Sequence, residues 1–192
     1  MRYIGRVPTP NDDWSTRHSV QAMARRTVAL VNVLSGDRPG PRPDAVAQVL
    51  RAHGESVPLP LSEEDIAQLR SAALLLREVF AAPDAEGAAR ALNSLLPRHA
   101  GALRLTSHHG TAPWHPHLDS DDEAPWGEWF LASSCLALTV LLWDRQRPPG
   151  GLCASPSCSD VHLVQSGGPP RRYCSRRCAT RERVAAHRRA GA

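Results

Sequence analysis

Apolar residues recur at helical spacing over much of this chain. The first run spans Ser15 to Leu34, where Val20, Met23, Thr27, Val28, Val31 and Leu34 share one side, and the segment from Gly36 to Pro43 then breaks it. A second helix is predicted over Pro43 to His53, with proline in the first turn, where its missing N–H is not needed, and Gly54 at the end. Ser62, Glu63, Glu64 and Asp65 read as a capping box with Asp in the usual Glu place, opening a helix faced by Ile66, Leu69, Ala73, Leu76 and Phe80. A fourth helix runs from about Pro83 to Leu96, where Pro97 stops it. The apolar run from Phe130 to Trp143 predicts a buried core helix from about Pro125 to Asp144. Its fourteen residues fall short of the roughly 18 to 20 that a membrane span needs.

Between these helices the period changes. Residues 103–107 alternate as a short strand does, and the aperiodic stretch that follows is rich in His, Pro and Gly, so a small hairpin is expected there. Arg147, Pro148, Pro149, Gly150 and Gly151 read as a hinge into a last, separate segment. The fold class is therefore mainly α: a helical domain over 1–147 with a small β-hairpin, followed by a compact module over 151–192.

That module holds Cys153 and Cys158, then Cys174 and Cys178. Two close pairs of thiols joined by a gap are what a tetrahedral Zn2+ site uses, because each short turn supplies two ligands. A disulfide framework belongs to small secreted domains, and the N-terminus here has neither the apolar core nor the cleavage site of a secretory signal. A reducing cytoplasm is expected, with one structural zinc ahead of iron or other metals that favour sulfur. Cys135, far from any partner, reads as a small buried hydrophobe. Within the module, residues 161–165 and 171–173 are expected to form a hairpin about Ser166 to Pro170. Cys178 opens a helix to about Arg189, which makes a treble-clef-like finger.

Charge sharpens the picture. Formal net charge is only +4, yet residues 171–192 hold eight arginines against one acid, which is +7. The chain has no lysine, so the clustering is informative and the choice of arginine is not. The cationic set is Arg171, Arg172, Arg176, Arg177, Arg181, Arg183, His187 and Arg188. On a helical wheel Arg177, Arg181 and Arg188 fall within about 40° of one another, and Arg176, Arg183 and His187 form a second stripe. Guanidinium groups in stripes suit phosphate contact and the reading of guanine.

The chain resembles bacterial two-domain proteins with an N-terminal ABATE domain and a C-terminal CGNR zinc finger, described as stress-induced transcription regulators. Thr27-Val-Ala-Leu-Val-Asn-Val-Leu34 is similar to that family's Asp-Leu-Val-Asn-Thr-Leu segment, and Cys153-Ala-Ser-Pro-Ser-Cys158 to its Cys-Ala-Asn-Pro-x-Cys knuckle. Arg172-Tyr-Cys-Ser-Arg-Arg-Cys178 fits its second pair, and Arg183-Val-Ala-Ala-His-Arg188 resembles its basic ending. The naming motif Cys-Gly-Asn-Arg stands here as Cys178-Ala-Thr-Arg181, so its outer two residues match and its inner two do not. The resemblance implies transcriptional regulation.

Three classes of function follow. The first is a zinc-binding regulator whose arginine-rich helix contacts DNA; against it stands a basic tail that touches only protein, including the acidic N-terminal domain. The second places the work in the helical domain, as a small-molecule sensor or homodimerising unit with the zinc purely structural. Asn32, a polar amide on an apolar helix, is its best clue as a ligand contact, although such an amide more often bonds nearby backbone. The third, an enzyme, is the weakest, because four thiolates leave no open position for a catalytic water and no phosphate loop or nucleophile elbow is present. His108, His109, His115 and His117 beside Asp119, Asp121 and Asp122 offer the donors of a second metal site, but their spacing matches no helical His-x3-His or catalytic zinc pattern, so a solvated loop is the expectation. No membrane partner is expected.

Overall fold

A computed structural model describes residues 20–35, 42–55, 60–110, 113–164 and 171–190. In chain order the elements are α1 (Val20–Ser35), α2 (Pro43–Ala52), α3 (Glu63–Ala81), α4 (Ala85–His99), β1 (Arg104–Thr106), β2 (His115–His117), α5 (Trp126–Arg145), β3 (Gly150–Leu152), β4 (Val161–Leu163) and α6 (Arg176–Ala190). The strands form two separate antiparallel hairpins, β1 with β2 and β3 with β4. The mainly α class holds. Residues 15–19 of the first predicted helix lie outside the described residues.

The helices begin and end where local chemistry directs. Ser62 caps α3 through a complete capping box with Asp65, the Ser62 N–H donating to Asp65 Oδ2 at 2.9 Å and the Asp65 N–H to Ser62 Oγ at 3.1 Å. Asp84 caps α4 by accepting from the Gly87 N–H at 2.7 Å. α4 does not stop at Leu96 but carries Pro97 in its last turn. A proline there forfeits one N–H bond without ending the helix, and the Ala100 N–H still closes on the Leu96 carbonyl at 3.0 Å.

α5 lies at the centre, packed on α1, α3 and α4. Apolar residues surround it on most sides, as on a core helix. Phe130, Leu138 and Cys135 are sealed inside with Leu30, Leu69, Leu76 and Phe80, and burial pushes the Cys135 thiol up to about 12, which leaves it inert. Among the described residues α5 alone is long and apolar enough to cross a membrane, but 56% of its apolar window is buried within the fold, which suits a core helix. Arg26 of α1 lies along it, 4.2 Å over the Trp129 ring, with one arm on Glu55 Oε1 at 3.2 Å and another on Ser133 Oγ at 3.0 Å. Burial pulls its guanidinium down from the usual range against the Glu55 charge.

Two expectations about the chain near 150 need correction. Residues 147–151 are not a hinge, since Gly150 is buried in β3; a Cβ there would stand 2.2 Å from the His162 carbonyl oxygen and 2.6 Å from the Phe80 ring. The hairpin does not join 161–165 to 171–173. β4 pairs instead with β3, Gly151 opposite His162 and Leu152 opposite Val161. The dense turn signal at 166–170 lies outside the described residues. Only Gly permits so close a crossing at position 150, and a Gly-Gly pair looks the same in a strand as in a linker.

Among the described residues the outer edge of β4 meets no third strand. Three helices supply its partners. Asn32 of α1 accepts the Val161 N–H at 2.7 Å and donates to the Val161 carbonyl at 3.1 Å. Arg145 of α5 donates to the Val164 carbonyl at 2.8 Å, and Arg77 of α3 donates to the Ser159 carbonyl. Val161 itself is fully buried in the helical core.

Two stability predictions follow. Gly150→Ala should destabilise the fold by about 2–3 kcal/mol through overpacking, whereas Gly151→Ala, whose Cβ would meet only the His162 ring at 3.5 Å, should change it by less than about 0.5 kcal/mol; urea midpoints compare them. Asn32→Leu should cost about 1–3 kcal/mol by stranding the Val161 backbone groups, read as faster amide exchange at Val161.

Candidate metal centre

Cys153 follows directly on β3, and its N–H donates to the Asp160 carbonyl at 2.8 Å, so the hairpin's own ladder sets the first ligand. A tight turn closed by the Cys158 N–H on the Ser155 carbonyl at 3.0 Å presents the second. The Ala154 N–H on the Arg172 carbonyl at 2.8 Å brings the returning chain alongside, and the Cys174 N–H points at Cys153 Sγ at 3.4 Å. Cys178 sits in the first turn of α6 behind Ser175, whose hydroxyl accepts the Cys178 N–H at 3.3 Å.

The four sulfurs lie within 4.8 Å of one another, with Cys158 to Cys174 and Cys174 to Cys178 both at 3.6 Å. Four ligands about 2.3 Å from a tetrahedral zinc stand roughly 3.8 Å apart, whereas a disulfide holds its sulfurs at about 2.05 Å. All four are free cysteines, so the spacing fits a shared ion. The site can hold one zinc. Burial pushes the Cys158 and Cys174 thiols up, while the Ser175 hydroxyl first, and the other cysteines after it, pull Cys178 down. A divalent cation removes that conflict by stabilising all four thiolates.

A polar cluster beside the sulfurs ties α6 to the knuckle. Ser155, 2% exposed, donates its hydroxyl to Glu182 and accepts from Arg181 Nη2 at 2.7 Å. The same Arg181 nitrogen lies 3.5 Å from Cys178 Sγ. Arg171 donates to the Tyr173 carbonyl at 2.7 Å and to the Cys174 carbonyl. Two of the predicted cationic residues thus turn toward the finger itself. Arg172, Arg176, Arg177, Arg183, His187 and Arg188 are exposed. Cys178, Glu182, Ala185 and Arg189 share one face of the helix; the first three turn inward, while Arg189 is exposed.

Asn32 lines an open hollow of about 440 Å³ with Gln21, Arg25, Asp160 and Cys174 among others. Its amide is committed on both sides to Val161, so a ligand there would meet the other lining residues first. Sequence reasoning missed Ser155, which nothing but its closeness to the thiols in space identifies. It also read the histidine stretch as a solvated loop; the structure instead gathers His108, His115 and His117 into one cluster, and leaves His109 exposed.

Replacing Cys178 by Ser should lower bound zinc by one ion per chain, measured by mass spectrometry of the metal, and abolish the thiolate-to-cobalt charge-transfer bands of the Co2+-substituted protein. Structural zinc binding of about 10–16 kcal/mol in small fingers makes proteolysis within 171–190 the expected companion of that loss. No curated protein matches the chain. Residues 151–190, the segment that carries all four thiols, match the CGNR zinc finger family.

Proposed function

We propose that this protein is a DNA-contacting transcription regulator in which zinc fixes the root of a cationic helix. The observation that carries the reading is the form of α6: its first turn is anchored by Cys178, Ser175 and the Ser155 cluster, and its remaining turns carry exposed arginines with almost no cover. A rigid root gives guanidinium groups a common direction, which a loose tail does not. Phosphate contact by Arg176, Arg177, Arg183 and Arg188 supplies affinity, and bidentate contact with guanine is within the chemistry of the same side chains. Arg171 and Arg181 serve as braces in this reading, which narrows the set that faces nucleic acid.

The resemblance to stress-induced regulators supplies the regulatory half of the proposal. A reducing compartment such as the cytoplasm suits four free thiols that bind metal. Catalysis at the finger has no part in it, since four sulfur ligands close the coordination sphere. The alternative, a sensing or protein-binding unit with purely structural zinc, draws on the Asn32, Arg77 and Arg145 links, through which the helices grip the finger's hairpin.

Titration of a mixed-sequence duplex by fluorescence anisotropy tests the proposal. Log affinity should fall linearly with log salt, with a slope of about −0.9 per phosphate contacted. Replacing Arg176, Arg177, Arg183 and Arg188 by Ala should flatten that slope by about one unit for each arginine that touches phosphate. Affinity that is the same at about 50 and 200 mM salt would move the weight to the protein-contact reading.

A further inference from the structure

The hairpin β1–β2 pairs Arg104 with His117 and Thr106 with His115. Side chains alternate along strands, so these four share one face while Leu105 and Pro116 take the other. Leu105 is 64% exposed, so the polar face is the inward one. His108 joins it from the turn, in a left-handed conformation (φ 48°) that is uncommon for a residue with a side chain.

The three rings meet through the same nitrogen. His108 Nε2 lies 3.2 Å from His115 Nε2, and His117 Nε2 lies 3.1 Å from it. Each Nδ1 faces an acceptor: His117 meets Asp119 Oδ1 at 2.8 Å, His108 meets Asp122 Oδ2 at 3.2 Å, and His115 meets the Pro113 carbonyl at 2.8 Å. An acceptor at Nδ1 keeps the proton there and leaves the lone pair of a neutral ring at Nε2. Three lone pairs then converge on one point. A single cation among them would meet all three at once.

The surroundings are arranged to hold that geometry. Arg104 donates to Asp119 Oδ1 and Asp122 Oδ1, both at 2.7 Å, and Thr106 Oγ1 donates to Asp122 Oδ2 at 2.8 Å. Asp119 is 3% exposed. A carboxylate or carbonyl behind each imidazole is the outer shell that orients metal-binding histidines. Ligands about 2.05 Å from a tetrahedral ion stand roughly 3.3 Å apart, close to the separations found.

We propose that His108, His115 and His117 form a second metal site, distinct from the four thiols, that takes a divalent first-row transition ion such as Zn2+ through its three Nε2 atoms. Imidazole favours zinc, copper, nickel and iron over calcium or magnesium. Three protein ligands leave a fourth position for water or a small anion, so this centre exchanges ligands where the sulfur site does not.

The full chain, equilibrated with zinc and cleared of free metal, should carry two ions. His115→Ala should carry one and bind the second at least 100-fold more weakly. That ring's Nδ1 meets the Pro113 backbone carbonyl, and its loss should leave the circular dichroism unchanged. Cys178→Ser should also carry one, and the double variant none. Equal zinc in wild type and His115→Ala would overturn the proposal and leave the rings sharing protons. Cadmium NMR of the unmutated chain is an independent check should a variant fold poorly: two 113Cd resonances, one in the sulfur range and one in the nitrogen range, are expected. A lone sulfur-range resonance with cadmium in excess rules the site out.

Discussion

An uncovered strand edge governs how this molecule is assembled. Among the described residues no third strand takes the outward N–H and carbonyl groups of β4, and unmet backbone groups at a buried seam cost about 1–3 kcal/mol apiece. Asn32 acts as a stand-in for a strand, accepting and donating at Val161 as a backbone amide does, while Arg145 and Arg77 meet the flanking carbonyls. All three side chains come from different helices. The hairpin is therefore gripped from three directions, and Val161 can enter the helical core without stranding its backbone. Gly150 lets β3 press against Phe80 in the same place.

That seam sets up the metal centre. Cys153 is one residue past β3 and Cys158 a turn later, so the first two thiols are carried by a hairpin already fixed to the helices. Packing organises one half of the tetrahedron before any ion arrives, and zinc has only the second half to order. Cys174 and Cys178 belong to a segment with little core of its own. There the ion supplies what burial does not. Ser155 lies where the two halves meet, hydrogen-bonded to both Arg181 and Glu182, and so transmits the position of the knuckle to the second turn of α6.

α1 to α5 were legible because apolar residues recur along them at helical spacing or, in α5, in one continuous run, with the capping box at Ser62 and Pro43 in a first turn marking two of the starts. The four ligands were legible because their spacing is local. What failed were features whose meaning depends on distant partners. Gly150 and Gly151 look like a linker until Phe80 and the His162 carbonyl stand against Gly150. Asn32 carries no mark of Val161, 129 positions away. The histidines were tested against a helical period, although His115 and His117 are two apart and lie in a strand, where that spacing places both rings on one face. The right period was available once residues 103–107 had been read as a strand. The partner across the hairpin, His108, came only with the turn.

Charge on α6 completes the argument. Arg177 and Arg181 are four apart, as are Arg183 and His187, and like charges at that spacing weaken an isolated helix by a few tenths of a kcal/mol each when both are ionised. Glu182 relieves one of them by turning toward Arg181 Nε at 3.6 Å, and His187, Arg188 and Arg189 in the last turn suit the negative end of the helix dipole. The remaining repulsion is met by no packed face, since only Cys178 is buried along the whole helix. The zinc centre does not change the sign of the segment, because even the whole net −2 of four thiolates and one Zn2+, set against the +7 of residues 171–192, leaves about +5. A helix that concentrates cations without covering them is better held when anions lie along it. Under the proposed reading, a phosphate backbone both gains affinity from these arginines and steadies the helix that presents them, so contact and order rise together.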